Sequence, residues 1–280
     1  MAQTENILDR IAKQGIVLGD GGYLIELERR GWVDSGSGRE KVGTGKGSGQ
    51  FTPEVAIEHP DALRELHREF LNAGSQVLQA LTFFTQLFER EGPSAAGRVR
   101  DLITEQVRFL ADAKVDLLIL ETFFHLQEML IAIECARATG LPMVATMTFR
   151  PQLTQCSDGH SPADCARAMV DAGADVVGSN CEQEPKRMLS IIREMRNAVR
   201  VPIVAQPAAF HTTEEAPCFT RLPQFPDELE AIQLPRGSFE RFAHIAKSEG
   251  IQYLGGCCGC NAAYIHAFAR GLTTANNRAA

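Results

Sequence analysis

The sequence lacks a long apolar run, although 44% of its 280 residues are hydrophobic. No segment approaches the roughly 20 consecutive apolar residues that cross a bilayer, so we expect no membrane span. The first fifteen residues, MAQTENILDRIAKQG, also lack the charged-then-apolar pattern of a secretory signal. We therefore expect a cytoplasmic protein, whose thiols are kept reduced.

The chain has no excess of basic residues. Its 28 Lys and Arg face 35 Asp and Glu, and the net charge is −7 at pH 7. Because binding to nucleic acid needs a basic surface, this balance argues against such a partner. The Gly/Ser-rich segment 34–50 matches neither G-x-x-x-x-G-K-[ST] nor G-x-G-x-x-G, and no helix opens directly after it. We expect a mobile loop there rather than a phosphate site.

The dominant pattern is an alternation of short apolar runs with longer amphipathic segments. The runs cover residues 15–21, 75–84, 115–123, 142–149, 174–181, 201–207 and 252–258. They are almost continuously apolar, as strands buried on both faces are. Repeated strand–helix units predict a parallel sheet with right-handed crossovers. At this length, the pattern favours one α/β domain, residues 1–280, folded as a (β/α)8-type TIM barrel.

Four segments carry helix start and stop signals. They are 59–74, which has Pro60 at its start and Gly74 at its end; 161–173, with Ser161 as N-cap and Gly173 at its end; 184–198; and 238–250. The strand count is seven, whereas the standard barrel has eight. Residues 92–114 predict one helix and no strand, so one strand–helix unit is apparently missing. The long excursion at 208–237 follows a strand, and loops of that kind usually line a barrel's active site.

Three cysteines fall at the ends of predicted strands. Cys181 ends the run 174–181, and Cys257 with Cys258 ends the last run. In a barrel the carboxyl ends of all strands surround one mouth, so three thiolates could meet one metal ion there. Three protein ligands with an open fourth position are typical of catalytic zinc, and thiolates select zinc over magnesium or calcium.

Other uses of these cysteines stay open at this point. Cys135 and Cys165 lie inside predicted helices and are best interpreted as small buried hydrophobes. An adjacent pair beside two glycines is not a packing pattern. A disulfide between Cys257 and Cys258 would be strained and is disfavoured in the cytosol. With Cys260 added, four cysteines could hold an iron–sulfur cluster, but their spacing matches no common cluster signature.

Longer stretches resemble a known family. LGDGGYLIELERRGWV, FTPEVAIEHPDALRELHREFLNAGSQVLQALTFF, AQPAAFHTTEE, LPQFPDELE and YLGGCCG are similar, in this order, to segments of the homocysteine S-methyltransferase family, above all its betaine-using members. The resemblance covers nearly all of residues 15–272. It implies an eight-stranded (β/α) barrel and zinc-dependent methyl transfer to homocysteine, giving methionine. The implied donor is betaine or a related quaternary ammonium or sulfonium cation.

The resemblance also implies roles for single residues. Cys181, Cys257 and Cys258 would hold Zn²⁺. Asp20 and Glu121 would bind the amino group of homocysteine. A further residue, Asn180, falls in the G-x-N-C strand end and would orient the site. The implied partners are homocysteine and a small methyl donor, with no nucleic acid and no membrane.

The donor pocket departs from the family pattern. A methylated cation is typically bound by a cage of aromatic side chains, and Phe51, Phe83 and Phe84 are the candidates for it. The betaine-using members have tryptophan at Phe51, tyrosine at Phe84 and tyrosine at Thr122, so the betaine assignment is weakened. Two other hypotheses remain: a catalytically impaired zinc-binding relative, and a thiol redox protein.

Overall fold

The computed structural model describes residues 5–32, 52–79, 87–150, 154–226 and 228–273. In this part of the chain, six parallel strands form one sheet in the order β1-β6-β5-β4-β3-β2. The strands are β1 Val17–Leu18, β2 Leu118–Phe123, β3 Met143–Met147, β4 Val176–Asn180, β5 Ile203–Gln206 and β6 Tyr253–Leu254. The α/β class with a parallel sheet is therefore confirmed.

Eleven α-helices lie in the described ranges. They are α1 Ile7–Gln14, α2 Leu24–Arg29, α3 Thr52–Glu58, α4 Pro60–Ala73, α5 Leu87–Glu91, α6 Ala96–Asp112, α7 Leu126–Arg137, α8 Pro162–Ala172, α9 Pro185–Ala198, α10 Arg236–Ser248 and α11 Ala262–Thr273. Short 3-10 helices occur at Gly92–Ala95, Phe219–Arg221 and Leu229–Ile232. None of the helices described is long and apolar enough to cross a membrane.

The predicted helix ends follow from their capping residues. The Ser161 hydroxyl accepts a hydrogen bond from the Asp164 amide and so caps α8. Gly173 and Gly74 end α8 and α4 in the left-handed conformation, each with φ of 112°. As predicted, residues 92–114 hold helix and no strand.

The described residues contain six of the seven predicted strands, and the predicted run 75–84 has no strand within 75–79. The amides of Gln76 and Val77 both donate to the Leu18 carbonyl, at 2.7 and 3.3 Å. In return, the Leu18 amide donates to the side-chain oxygen of Gln76 at 3.0 Å. A side chain thus takes the place of a backbone acceptor, and the segment lies along β1 without a regular ladder. Residues 80–84 lie outside the described ranges, as does the predicted loop 34–50.

The two faces of the sheet differ in what they bury. Most helices pack against one face and form the larger apolar core. On the other face, each strand contributes one residue to a smaller cluster, which Ile7 and Ile11 of α1 complete. The strand residues are Val17, Ile119, Val144, Val176, Val204 and Tyr253.

The second face becomes polar towards the carboxyl ends of the strands. Because side chains alternate along a strand, the positions two residues beyond this apolar layer point to the same face. They include Glu121 on β2, Thr146 on β3 and Gln206 on β5, and all three are buried. The apolar layer therefore forms a floor beneath a set of buried polar side chains.

Candidate active site

Three thiols converge where β4 and β6 end. Cys181 follows β4 directly, and Cys257 and Cys258 follow β6. Their Sγ atoms all lie within 4.8 Å of one another, and those of Cys181 and Cys258 are 3.6 Å apart. We call Cys181, Cys257 and Cys258 the three-thiol cluster. It is the one such group of metal-ligating side chains within the described residues.

The backbone at Cys181 is held in an unusual conformation. Cys181 and Glu182 have φ of 61° and 58°, in the left-handed region where a non-glycine residue costs ~1–3 kcal/mol. The Cys181 amide donates to the Gln206 carbonyl at 2.9 Å, and the Phe219 amide donates to the Glu182 carbonyl at 3.1 Å. The Thr220 hydroxyl also reaches the buried Glu182 carboxylate at 2.8 Å. These bonds hold the strained turn and aim the Cys181 side chain.

The second half of the cluster is tied to two other loops. The Cys257 amide donates to the Pro207 carbonyl, and the Ala209 amide donates to the Cys258 carbonyl, both at 2.9 Å. On the other side, Gly22 comes so close that a Cβ there would lie 2.5 Å from the Cys257 carbonyl oxygen. The glycine pair after Asp20 therefore lets the loop after β1 pack against the cysteine turn.

The thiols of the cluster perturb one another. The pKa of Cys181 is raised well above its usual value, mainly by a hydrogen bond with Cys257 and to a lesser extent by burial. The pKa of Cys258 is also raised well above its usual value, mainly by a hydrogen bond with Cys181 and to a lesser extent by burial. Buried thiols in contact cannot readily all lose their protons unless a cation compensates the charge. The arrangement therefore favours a bound metal ion.

Two buried carboxyl groups lie beside the cluster. Burial raises the pKa of Asp20 to about 7, against the lowering effect of the Tyr23 hydroxyl, and the charge of Glu121 adds to the rise. Oδ2 of Asp20 accepts hydrogen bonds from the Tyr23 hydroxyl and from the Gln79 amide. Its Oδ1 is buried with no hydrogen-bond partner. This oxygen is available to a cationic ligand.

Glu121 connects the carboxyl pair to the thiols. The hydrogen bond with Cys181 lowers the pKa of Cys257. The hydrogen bond with Cys258, burial and the negative charge of Glu121 all raise this pKa, and the net shift is upward. Glu121 therefore lies close enough to act electrostatically on both Asp20 and Cys257. The carboxylates and the thiols form one site.

The sequence matches known proteins over nearly its whole length. The family model "Homocysteine S-methyltransferase" matches residues 17–104 and 91–272. Betaine–homocysteine S-methyltransferase 1 of Bos taurus is 31% identical over 96% of this chain and 75% of its own length. The S-methylmethionine–homocysteine S-methyltransferase BHMT2 of Pongo abelii is 33% identical over 95% of this chain and 81% of its own.

The chain belongs to the homocysteine S-methyltransferase family. The prediction of a homocysteine S-methyltransferase is thereby confirmed at the level of the family. The fold agrees: the apo form of the homocysteine methyltransferase MmuM from Escherichia coli matches with a TM-score of 0.64. That match covers 93% of this chain and 97% of the other at 19% identity.

Asn180 joins three strands of this methyltransferase. Its Oδ1 accepts hydrogen bonds from the Thr122 amide and the Thr146 hydroxyl, both at 2.9 Å, and from the Thr148 hydroxyl at 3.3 Å. Its Nδ2 donates to the Thr122 hydroxyl at 2.6 Å and lies 3.9 Å from the Cys257 sulfur. Asn180 thus holds the ends of β2 and β3 in register with the three-thiol cluster.

Several residues of the site were missed by the sequence analysis. Tyr23 was not singled out, although it follows Asp20 by three residues in a turn, within reach of its carboxylate. The alternating threonines of the segment ATMTF, Thr146 and Thr148, place hydroxyls at every second position of a buried strand. That alternation was a usable signal for a polar inner face.

The other sequence predictions have mixed outcomes. Phe51, Phe83 and Phe84 lie outside the described residues. Cys165 is fully buried in α8, as expected of a small hydrophobe, and Cys135 is half-buried in α7.

Cys260 and the excursion at 208–237 also have defined places. Cys260 is fully buried, and its thiol donates to the Pro207 carbonyl at 3.4 Å. Phe210 and Phe219 of the excursion pack against Cys181, so that segment borders the cluster.

Proposed function

We propose that this protein transfers a methyl group from betaine, or a related quaternary ammonium or sulfonium cation, to the sulfur of homocysteine. The products are methionine and the demethylated donor. The observation that carries the proposal is the three-thiol cluster, whose sulfur atoms lie within 4.8 Å of one another beyond the ends of β4 and β6, on either side of β5. Family membership supports the same chemistry.

The donor set of the cluster fits zinc. It contains three sulfur atoms and neither imidazole nor carboxylate, and soft sulfur donors favour zinc over the hard cations. Three protein ligands leave a fourth position for a substrate atom. When bound there, zinc would supply positive charge that lowers the pKa of a substrate thiol at neutral pH. In this proposal Cys181, Cys257 and Cys258 hold the ion.

The carboxyl pair suits the amino group of the substrate. An ammonium group placed against Asp20 and Glu121 would give the unpartnered Oδ1 of Asp20 a donor. It would also offset the repulsion between the two carboxylates. A buried carboxylate is costly unless a cation compensates it, so these residues favour a positively charged ligand. Held there, the substrate has its sulfur directed at the cluster.

The step that follows is a displacement at carbon. The sulfur of homocysteine attacks the methyl carbon, a new S–C bond forms, and the bond from that carbon to the donor nitrogen or sulfur breaks. The electron pair stays with the leaving group. The contribution of the protein is mainly orientation of the two substrates in line. Asn180 would serve here by holding Thr122 and Cys257 in place.

The identity of the donor is the finer part of the proposal. One of the relatives above is named for betaine and another for S-methylmethionine. Both donors carry a methyl group on a cationic centre, which an aromatic face can bind. We propose Phe51, Phe83 and Phe84 for that role, from the sequence resemblance alone.

We also propose that the sheet closes into a (β/α) barrel within a single domain. The described strands leave β1 and β2 as the two edges. The segment after α4 already bonds to the free edge of β1, through Gln76 and Val77. This segment is in the right place to bridge the two edges, and closure would remove both.

One experiment tests the function directly. Purified protein should carry about one zinc per chain, as a three-cysteine catalytic site implies. It should make methionine from homocysteine and one member of a panel of betaine, S-methylmethionine, dimethylsulfoniopropionate and a methylfolate. Cys258→Ala should lose both zinc and activity. Cys135→Ala, in the half-buried cysteine of α7, is the matched control and should keep both.

The outcomes separate the competing hypotheses. Methyl transfer by zinc-free Cys258→Ala protein would refute the role of the cluster. Normal zinc content without methionine from any donor would indicate an impaired zinc-binding relative. A reversible disulfide among Cys257, Cys258 and Cys260, with no metal in a reduced preparation, would indicate a thiol redox protein.

A further inference from the structure

A second pair of thiols lies away from the three-thiol cluster. The Sγ atoms of Cys156 and Cys165 are 3.6 Å apart, in van der Waals contact. Cys156 lies in the loop between β3 and α8, and Cys165 lies in the first turns of α8. Cys156 is 4% exposed and Cys165 is fully buried. The proposed methyl transfer uses neither residue.

The loop holds the two thiols in register. The Gly159 amide donates to the Cys156 carbonyl at 2.9 Å, which closes a tight turn. The His160 carbonyl accepts from the Cys156 amide at 2.9 Å and faces the Cys165 sulfur at 3.9 Å. An S–S bond measures about 2.05 Å, so the sulfur atoms, 3.6 Å apart, must approach by about 1.5 Å to form one.

The hydrogen bonds give the two thiols different roles. The Cys165 thiol donates to the Cys156 sulfur, and the Cys156 thiol donates to Oδ1 of Asp158 at 2.9 Å. When Cys156 loses its proton, its sulfur therefore keeps a hydrogen-bond donor, the Cys165 thiol. The bond from Cys165 is also the main cause that lowers the pKa of Cys156. Cys156 is thus the better nucleophile, and Cys165 is placed to resolve it.

Cys156 has an approach route for a small oxidant. It lines a cavity of about 410 Å³, whose walls include Phe88, His125 and Arg150. Cys165 has no exposed surface. An oxidant entering this cavity therefore meets Cys156 first.

We propose that Cys156 and Cys165 form a redox-active pair that a hydroperoxide converts to an intramolecular disulfide, independently of the three-thiol cluster. The Cys156 sulfur attacks one peroxide oxygen, the O–O bond breaks, and the Cys156 proton passes to the other oxygen. The other oxygen leaves as water or alcohol, and Cys156 becomes a sulfenic acid. The Cys165 sulfur then attacks that sulfur, and its proton leaves with the hydroxyl group as water. Two thiols are oxidised by two electrons, and one hydroperoxide is reduced.

The disulfide would change the start of α7. The two oxygens of Asp158 accept hydrogen bonds from the Leu126 and Gln127 amides, at 2.8 and 3.0 Å, and so cap that helix. Oxidation removes the Cys156 thiol that donates to the same carboxylate. Since α7 directly follows β2, which carries Glu121, the pair is structurally linked to the proposed substrate site.

Mass spectrometry tests the pair without measuring activity. Zinc-loaded protein is treated with hydrogen peroxide, its remaining thiols are alkylated, and trypsin is added. The tryptic peptide 138–167 has two cysteines, Cys156 and Cys165, because the bond from Arg150 to Pro151 resists the enzyme. We expect this peptide two hydrogens lighter and unalkylated, and we expect dithiothreitol to reverse the change. Further cleavage before Asp158 and Asp164 should leave the fragments joined.

The variants and the remaining outcomes decide the proposal. Cys165→Ser should abolish the light peptide, Cys156→Ser should do the same, and Cys135→Ser should leave it intact. Amide exchange at Leu126 and Gln127 should accelerate on oxidation of the wild type only. Full alkylation of both cysteines after peroxide treatment would overturn the proposal, as would disulfides confined to the three-thiol cluster. Oxidation without faster exchange would overturn the link to α7.

Discussion

Tyr23 offers a sharp test of how the carboxyl pair works. Its hydroxyl donates to Oδ2 of Asp20, which leaves Oδ1 free for the substrate ammonium. Its ring packs against His67 and Phe70, with ring centroids 5.4 Å away in each case. Tyr23→Phe keeps the ring and its packing and removes only the hydrogen bond to Asp20.

The size of the effect follows from that bond. A hydrogen bond to a charged group contributes about 1.5–3 kcal/mol, and each 1.4 kcal/mol is tenfold in affinity. If Asp20 must be held for substrate binding, Tyr23→Phe should raise the KM for homocysteine by about 10- to 100-fold. Zinc content should not change, because Tyr23 touches none of the three thiols in the described contacts.

The pH dependence gives a second readout. Burial raises the pKa of Asp20 to about 7 in the ligand-free protein, and the Tyr23 hydroxyl counteracts this rise. Ammonium binding needs the ionised carboxylate, so kcat/KM for homocysteine should fall as the pH drops through that pKa. In Tyr23→Phe the pKa rises further, so the same fall should begin at higher pH.

The assay needs a matched control. Tyr264→Phe removes another buried tyrosine hydroxyl, one that donates to the Leu234 carbonyl outside the proposed site. It should leave the KM for homocysteine unchanged. If Tyr23→Phe retains full zinc and shows the wild-type KM and pH profile, the positioning role of Tyr23 is refuted.

Three further predictions follow from the same site. Asp20→Asn should abolish homocysteine binding yet stabilise the ligand-free protein, since a carboxyl whose pKa is raised from 3.8 to about 7 destabilises the fold once ionised. In urea titrations, the free energy of unfolding of Asp20→Asn should exceed that of the wild type by at most ~4 kcal/mol above pH 7, and the difference should vanish towards pH 4. Equal stability of the two proteins at pH 8 would contradict this prediction. Gly22→Ala, whose Cβ would lie 2.5 Å from the Cys257 carbonyl oxygen, should lower zinc content on dialysis against a chelator, and wild-type retention would argue against the close packing. Asn180→Ala removes the acceptor at 2.9 Å from the Thr122 amide and the Thr146 hydroxyl, whereas the Thr148 hydroxyl keeps the backbone carbonyl of residue 180. The substitution should cost about 2–4 kcal/mol of unfolding free energy; a loss below 1 kcal/mol, by the same scale, would show that water replaces the amide.

Much of the architecture could be predicted from local signals. Ser161 and Gly173 bound α8 because a hydroxyl caps a helix start and glycine tolerates the left-handed conformation at its end. The runs around β2 to β5 are apolar throughout because a parallel sheet is covered on both faces. Placing Cys181 with Cys257 and Cys258 needed one more rule, that parallel strands end at the same edge.

What the amino-acid sequence determined by itself is therefore the α/β class, the helix ends and the set of residues at the strand ends. Only the tertiary structure decided which side chains touch. The oxygen of Gln76 takes the place of a backbone acceptor beside β1, Tyr23 turns onto Asp20, and Cys156 reaches Cys165. Capping and periodicity act within a few residues and leave a local trace. A hydrogen bond between side chains far apart in the sequence depends on the packing of the whole chain, so a local pattern does not determine it.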